Sequence, residues 1–199
     1  MGLGKPVFYP IFQFATEKRK SYTSLMNKIK KYASITLMLL VFSCLANGET
    51  FGDFEYEIKN GEAILTAYKG KELNVTIPAS IKDVPVTAIG TACFKNNSTI
   101  TKATIPQNIN VIGDSAFQNC KNVQEIQISE GVVSLGHAAF NGCINVKKVR
   151  IPKSVAWIGS HVFTGCTSLV EVEIALKVLN MGDKIFTDCS SLEKVMIIK

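Results

Sequence analysis

The residues with the greatest capacity for chemistry recur at one interval. Cys120, Cys143, Cys166 and Cys189 stand 23 residues apart, and Asn97 lies one interval before them. Asp114, His137 and Ser160 form a second series at the same spacing. A column of thiols can close disulfides in an oxidising compartment. Thiols also bind zinc, but no C-x₂-C pair is present to begin such a site. Asp, His and Ser are the residue types of a hydrolytic triad, where a carboxylate orients an imidazole that takes a proton from the serine. That chemistry needs three side chains converging on one carbonyl beside oxyanion donors. The elements that carry these columns therefore decide what they can do.

The same interval organises the rest of the chain. Gly falls at 90, 113, 136, 159 and 182, preceded by Ile89, Ile112, Leu135, Ile158 and Met181. Four residues after each Gly comes Phe94, Phe117, Phe140, Phe163 and Phe186. Apolar columns follow at Ile100/Val123/Val146/Leu169/Leu192, Ala103/Ile126/Val149/Val172/Val195 and Ile105/Ile128/Ile151/Ile174/Ile197. Each interval reads as one coil of a solenoid. Its alternating segment, such as Val149-Arg150-Ile151, is a short strand with one buried face, and stacked coils form a parallel sheet. Gly supplies a turn with permissive dihedrals. The residue after it is mostly an N-cap type, which predicts a short helix or 3₁₀ turn carrying the Phe into the core. A single coil cannot bury its own apolar face, so the coils must stack. Five repeats are read over residues 77–199.

Within this frame the chemical columns become structural. Coils about 4.8 Å apart would bring neighbouring cysteines within disulfide reach, but their column faces inward, which predicts reduced, buried thiols. Cys93 shares the Ala116/Ala139/Val162/Ile185 column and reads as core. Asp114, His137 and Ser160 occupy a capping column with no nucleophile elbow, and His161, one column over, has no evident partner. No catalytic, cofactor-binding or metal-binding residue is expected.

Residues 49–76 precede the repeats and behave differently. Phe54–Ile58 alternates, Asn60-Gly61 is a hairpin turn signal, and Ala63–Tyr68 reads as a returning strand, together a β-hairpin cap. The chain stops directly after the fifth repeat strand, which predicts an open carboxy-terminal end.

Residues 1–48 read as a leader. Translation is expected to begin at Met26. Lys28, Lys30 and Lys31 then form a basic n-region, residues 33–46 an apolar stretch too short for an ordinary membrane span, and Ala46-Asn47-Gly48 a cleavage site. The signal peptide is thus 26–48, and the protein is expected to be exported, to the periplasm, the cell surface and outer membrane, or the medium. Val41-Phe42-Ser43-Cys44 also resembles a lipobox, which makes Cys44 a candidate lipidation site and the one route to the membrane. The leader holds seven of the 22 basic residues and one of the 16 acidic ones. The remainder has 15 of each and is neutral, which excludes a phosphate-backbone footprint and hence nucleic acid as a partner.

The phrases Ile151-Pro152-Lys153-Ser154-Val155-Ala156-Trp157-Ile158-Gly159 and His161-Val162-Phe163-Thr164-Gly165-Cys166-Thr167-Ser168-Leu169 resemble the BspA-like leucine-rich repeat, the 23-residue bacterial class. The segment from Ile77-Pro78 to Ile89-Gly90 is similar to that family's first unit, five residues longer than later ones. The resemblance covers residues 51–199. It implies a leucine-rich-repeat solenoid, a turn column in which Asn and Cys interchange, and a bacterial surface or exported protein of a kind implicated in adhesion to host matrix or cell-surface components.

Two surface features bear on a partner. The outward column Lys102, Glu125, Lys148, Glu171, Lys194 alternates in sign, which suits register control and solubility rather than a polyanion. On the opposite ridge Val111, Val133, Trp157 and Leu179 are apolar where solvent is expected, and Trp is enriched at interaction hot spots, so these four are candidate protein-binding residues. The open end exposes Val195, Met196, Ile197 and Ile198, candidates for an oligomer edge. The sequence therefore predicts a non-enzymatic, exported protein-binding solenoid. The alternative is a periplasmic or membrane-attached scaffold or homo-oligomer.

Overall fold

The computed structural model describes residues 48–175 and 178–198. The signal peptide, the start at Met26 and lipidation at Cys44 lie outside the described residues. The chain opens with β1 (Glu49–Phe51), β2 (Phe54–Lys59) and β3 (Glu62–Tyr68), an antiparallel set. β2 and β3 are joined through Asn60 (φ 56°) and Gly61 (φ 83°), the left-handed pair that a tight hairpin demands.

From there the chain winds as a β-solenoid of about six coils. One face is a parallel six-stranded sheet made of β4 (Asn74–Thr76), β7 (Lys102–Thr104), β9 (Glu125–Gln127), β11 (Lys148–Ile151), β13 (Glu171–Ala175) and β15 (Lys194–Ile198). Its register places Val75, Ala103, Ile126, Val149, Val172 and Val195 in one line. The opposite face continues β3 into β6 (Val84–Ile89) and then the two-residue strands β8 (Val111–Ile112), β10 (Ser134–Leu135), β12 (Trp157–Ile158) and β14 (Asn180–Met181). β5 (Ser80–Ile81) pairs back onto β6 through Lys82 and Asp83, both at positive φ, and takes up the longer first unit. Asn74–Thr76, placed in the cap by the sequence, pairs along its length with β7 and so joins the long sheet ahead of the repeat strands.

Between the faces runs the core. Phe94, Phe117, Phe140 and Phe163 are buried, and with Phe186 they stack at centroid separations of 4.6, 5.3, 5.5 and 5.7 Å with planes within 11°. Tyr68 continues the aromatic column into the hairpin, 5.2 Å from Phe94.

The expected helices or 3₁₀ turns at the Phe column do not form; among the described residues there is no helix. In their place stand chained β-turns, with amides of Cys93, Lys95 and Asn97 donating to the carbonyls of Gly90, Ala92 and Phe94. The alternate amides, of Ala92, Phe94 and Asn96, donate instead to Asp114, Ala116 and Gln118 of the next coil. Half the backbone donors of this segment are thus spent between coils, and an i→i−4 ladder cannot use them. Ala92 and Asn96 sit at positive φ, as do Ser115 and Asn119, Ala138 and Gly142, and His161 and Gly165.

The glycine column has a cause other than permissive dihedrals. Gly90, Gly113, Gly136, Gly159 and Gly182 are not among the positive-φ residues. A Cβ at Gly136 would lie 2.4 Å from the Asp114 nitrogen, and one at Gly159 would lie 2.7 Å from the His137 nitrogen. Glycine is required here because the backbones of adjacent coils approach too closely for a side chain.

Candidate interaction surface

The columns singled out for chemistry are consumed by the solenoid. Each repeat thiol donates to the carbonyl of the Phe one coil back: Cys120 to Phe94 at 3.0 Å, Cys143 to Phe117 at 3.3 Å, Cys166 to Phe140 at 3.3 Å and Cys189 to Phe163 at 3.1 Å. The five described cysteines are free thiols. Burial pushes Cys93, Cys120 and Cys166 up to about 12 and Cys143 well above its ordinary value. Asn97, in the same column, serves a different group: its Oδ1 accepts the amides of Thr99 and Ile100 inside its own turn.

Asp114, His137 and Ser160 form a ladder rather than a triad. Asp114 Oδ1 accepts the amide of His137 (2.7 Å), His137 Nδ1 accepts that of Ser160 (3.0 Å), and Ser160 Oγ accepts that of Asp183 (3.1 Å). Every side chain serves the backbone of the next coil, and His137 Nδ1 takes the Ser160 amide rather than the Ser160 hydroxyl. His161 Nδ1 lies 3.3 Å from the Thr164 hydroxyl.

The long sheet face carries the charged columns. Lys102 pairs with Glu125 at 2.9 Å, and Lys148 pairs with both Glu171 (3.1 Å) and Glu173 (2.7 Å). The Lys148 hydrogen bond is the main cause that lowers Glu173, and the Lys102 hydrogen bond does the same for Glu125. Arg150 adds contacts to Glu173 and Glu130. Glu173, Glu130 and Arg150 extend the alternation beyond the single column read from sequence, and sheet register alone could have revealed the 150–173 neighbour.

The ridge residues lie on the short-strand face in two adjacent columns. Val111 and Trp157 align through Ser134. Val133 and Leu179 occupy the preceding position of alternate coils, so the four zigzag along successive coils. Val111, Val133 and Leu179 are 40%, 47% and 80% exposed. Trp157 is half-buried and meets the His137 ring edge-on at 5.3 Å. At the last coil Val195 and Ile197 are exposed, and Met196 and Ile198 are half-buried. Val195 and Ile197 keep the register of Val172 and Ile174, so it is residues at core-facing positions that are exposed here.

Coil geometry, Gly and Phe columns and the Asn/Cys turn define a leucine-rich-repeat solenoid. The chain belongs to the BspA type leucine rich repeat region family, whose pattern matches six copies over residues 87–199, more than half the chain. It is similar to the leucine-rich repeat protein TpLRR of T. pallidum, at 29% identity and a TM-score of 0.71 over 74% of this chain and 70% of that one. A leucine rich cell surface protein from Faecalibacterium prausnitzii A2-165 matches at 30% identity and a TM-score of 0.69, over 76% of this chain and 42% of that one. A leucine-rich repeat protein from Bacteroides capillosus ATCC 29799 matches at 29% identity and a TM-score of 0.59, over 64% of this chain and 98% of that one. No curated protein matches the chain.

Proposed function

We propose that this chain is an exported repeat scaffold that binds another protein through the ridge of Val111, Val133, Trp157 and Leu179, and that it acts as an adhesin toward host matrix or cell-surface components. The observation that carries the reading is the run of apolar side chains left in solvent along one ridge, with Leu179 at 80% exposure. A repeat fold offers an extended surface of the kind that binds partners. The similarity to a protein described as a cell surface protein supports the location. Residues 1–48 are read as the removed leader, so that the mature chain begins near Glu49 or at a lipidated Cys44. The experiment has two parts. Antibody or protease access in intact cells tests display at the surface, and immobilised matrix proteins test capture of the full chain against Trp157→Ala and Leu179→Ser variants. Loss of capture in both variants is expected; equal capture by all three proteins overturns the ridge.

The second reading is a periplasmic or membrane-attached scaffold that self-associates through Val195, Met196, Ile197 and Ile198. The 53% and 68% exposure of Val195 and Ile197 favours it. Light scattering at micromolar concentration tests it: a dimer or larger assembly broken by Ile197→Lys is expected, and a soluble monomer unaffected by that change refutes it.

A further inference from the structure

We propose that the cleft between the amino-terminal hairpin and the first coil receives a lysine side chain of a protein partner. The cleft holds about 220 Å³, and its lining combines the apolar residues Phe51, Phe54, Tyr68 and Val75 with the acidic residues Asp53 and Glu72. It uses none of the ridge residues, so it stands or falls apart from the ridge.

Size comes first. Sites for drug-sized molecules run from about 300 to 1,000 Å³, and a cleft below that range takes a single side chain. Its aromatic floor is fixed in place. Phe54 and Tyr68 lie 5.0 Å apart, and both rest on Phe94, at 6.2 and 5.2 Å. Phe51, by contrast, stands at the lip, 43% exposed.

Charge then selects the occupant. No basic residue lines the cleft, and Asp53 and Glu72 are its only charged residues. The neighbouring Lys69 ammonium pairs with Glu55 at 3.6 Å. Tyr68 is raised above its ordinary value chiefly by burial, against a lowering hydrogen bond to the Glu72 backbone, with the charges of Asp53 and Glu72 as smaller raising causes. A cleft that combines an apolar lining with two acidic residues matches a flexible hydrocarbon stem that carries an ammonium. Lysine has that form, burying its methylenes while its charge stays at the polar edge, and a cation within about 6 Å of an aromatic ring is attracted to the ring's face.

The test is nuclear magnetic resonance on the full-length protein, titrated with N-acetyl-lysine amide and, in parallel, with the norleucine and arginine counterparts. Saturable shifts at Phe51, Phe54 and Tyr68 are expected with the lysine amide and not with norleucine, which keeps the stem and lacks the charge. An Asp53→Asn, Glu72→Gln double variant should bind about tenfold more weakly or worse, the size of one lost charge-assisted contact. Both positions are exposed, and an unchanged thermal transition establishes that the variant is folded. Absent shifts, equal shifts with norleucine, tighter binding of arginine, or unchanged affinity in the folded double variant would each overturn the proposal.

Discussion

The Cys143 thiol donates to the carbonyl oxygen of Phe117, 3.3 Å away, and so ties one coil to the one before it. The contact joins the two most regular columns of the chain, and Cys120, Cys166 and Cys189 repeat it.

These thiols make the domain sensitive to alkali. Cys93, Cys120 and Cys166 are raised from 9.0 to about 12. Because the folded state holds the proton longer than the unfolded chain, stability is unaffected below pH 9 and falls as pH rises from 9 toward 12. Each thiol contributes about 1.4 kcal/mol per pH unit in that window, so three of them overcome a domain stability of roughly 5–15 kcal/mol within a few pH units. Circular dichroism should show cooperative unfolding between about pH 10 and 12, and Cys→Ser at position 166 should shift that transition. At neutral pH, thiol reagents should label Cys143 and Cys166 only after denaturant is added. Fast labelling of the native protein would mean that the column is open to solvent.

Phe140 is 1% exposed and is stacked between Phe117 and Phe163. Phe140→Ala leaves a void that neither ring can fill, since each is held by its own coil. Denaturant unfolding should show a loss of roughly 3–5 kcal/mol.

Two glycines separate close approach from backbone conformation. Gly136→Ala forces a methyl to 2.4 Å from the Asp114 nitrogen, backbone that has nowhere to move, and should cost about 3 kcal/mol or more, or prevent folding. Gly61→Ala meets nothing within 4 Å and carries only the strain of φ 83°, about 1–2 kcal/mol. Comparable melting temperatures for the two variants would show that the coils are not in such close contact.

Ser160→Ala removes one side-chain acceptor from the Asp183 amide and should cost about 1 kcal/mol. His137→Ala should cost a similar amount by exposing the Ser160 amide. If Ser160→Ala left stability unchanged and abolished a hydrolytic activity, the ladder would not be what this column is for.

Acid weakens the long sheet face. Glu173 and Glu125 are held below their ordinary 4.5 by Lys148 and Lys102. Their contribution is therefore present above about pH 4.5 and lost as pH falls further. Thermal melts should show a lower transition at pH 3 than at pH 6 and a smaller difference in high salt. An unchanged transition across that range would mean that the ion pairs contribute nothing.

The sequence by itself determined the solenoid, the parallel sheet with its register, and which columns face inward. A solenoid repeats one environment at one interval, so each inward position is sampled once per coil, and Phe94 through Phe186 or Val149 with Val172 declare themselves by recurrence. The sign alternation of Lys102, Glu125, Lys148 and Glu171 was legible for the same reason. What the sequence could not supply were interactions between coils that involve backbone. Ala92, Ser115 and His161 carry no mark of positive φ, and an N-cap residue after each Gly reads as a helix start. Only the stacked structure shows that alternate amides are claimed by the next coil, which removes the helix and makes turns of it. In the same way the Gly column reads as a turn until the adjacent backbone is seen to occupy the space of its Cβ, and Asp114, His137 and Ser160 read as caps within their own coils until each is seen to hold the amide one coil on. The cleft of Phe51, Asp53, Tyr68 and Glu72 has no period at all. It arises where the hairpin meets the first coil, once in the chain, and tertiary packing alone brings its walls together.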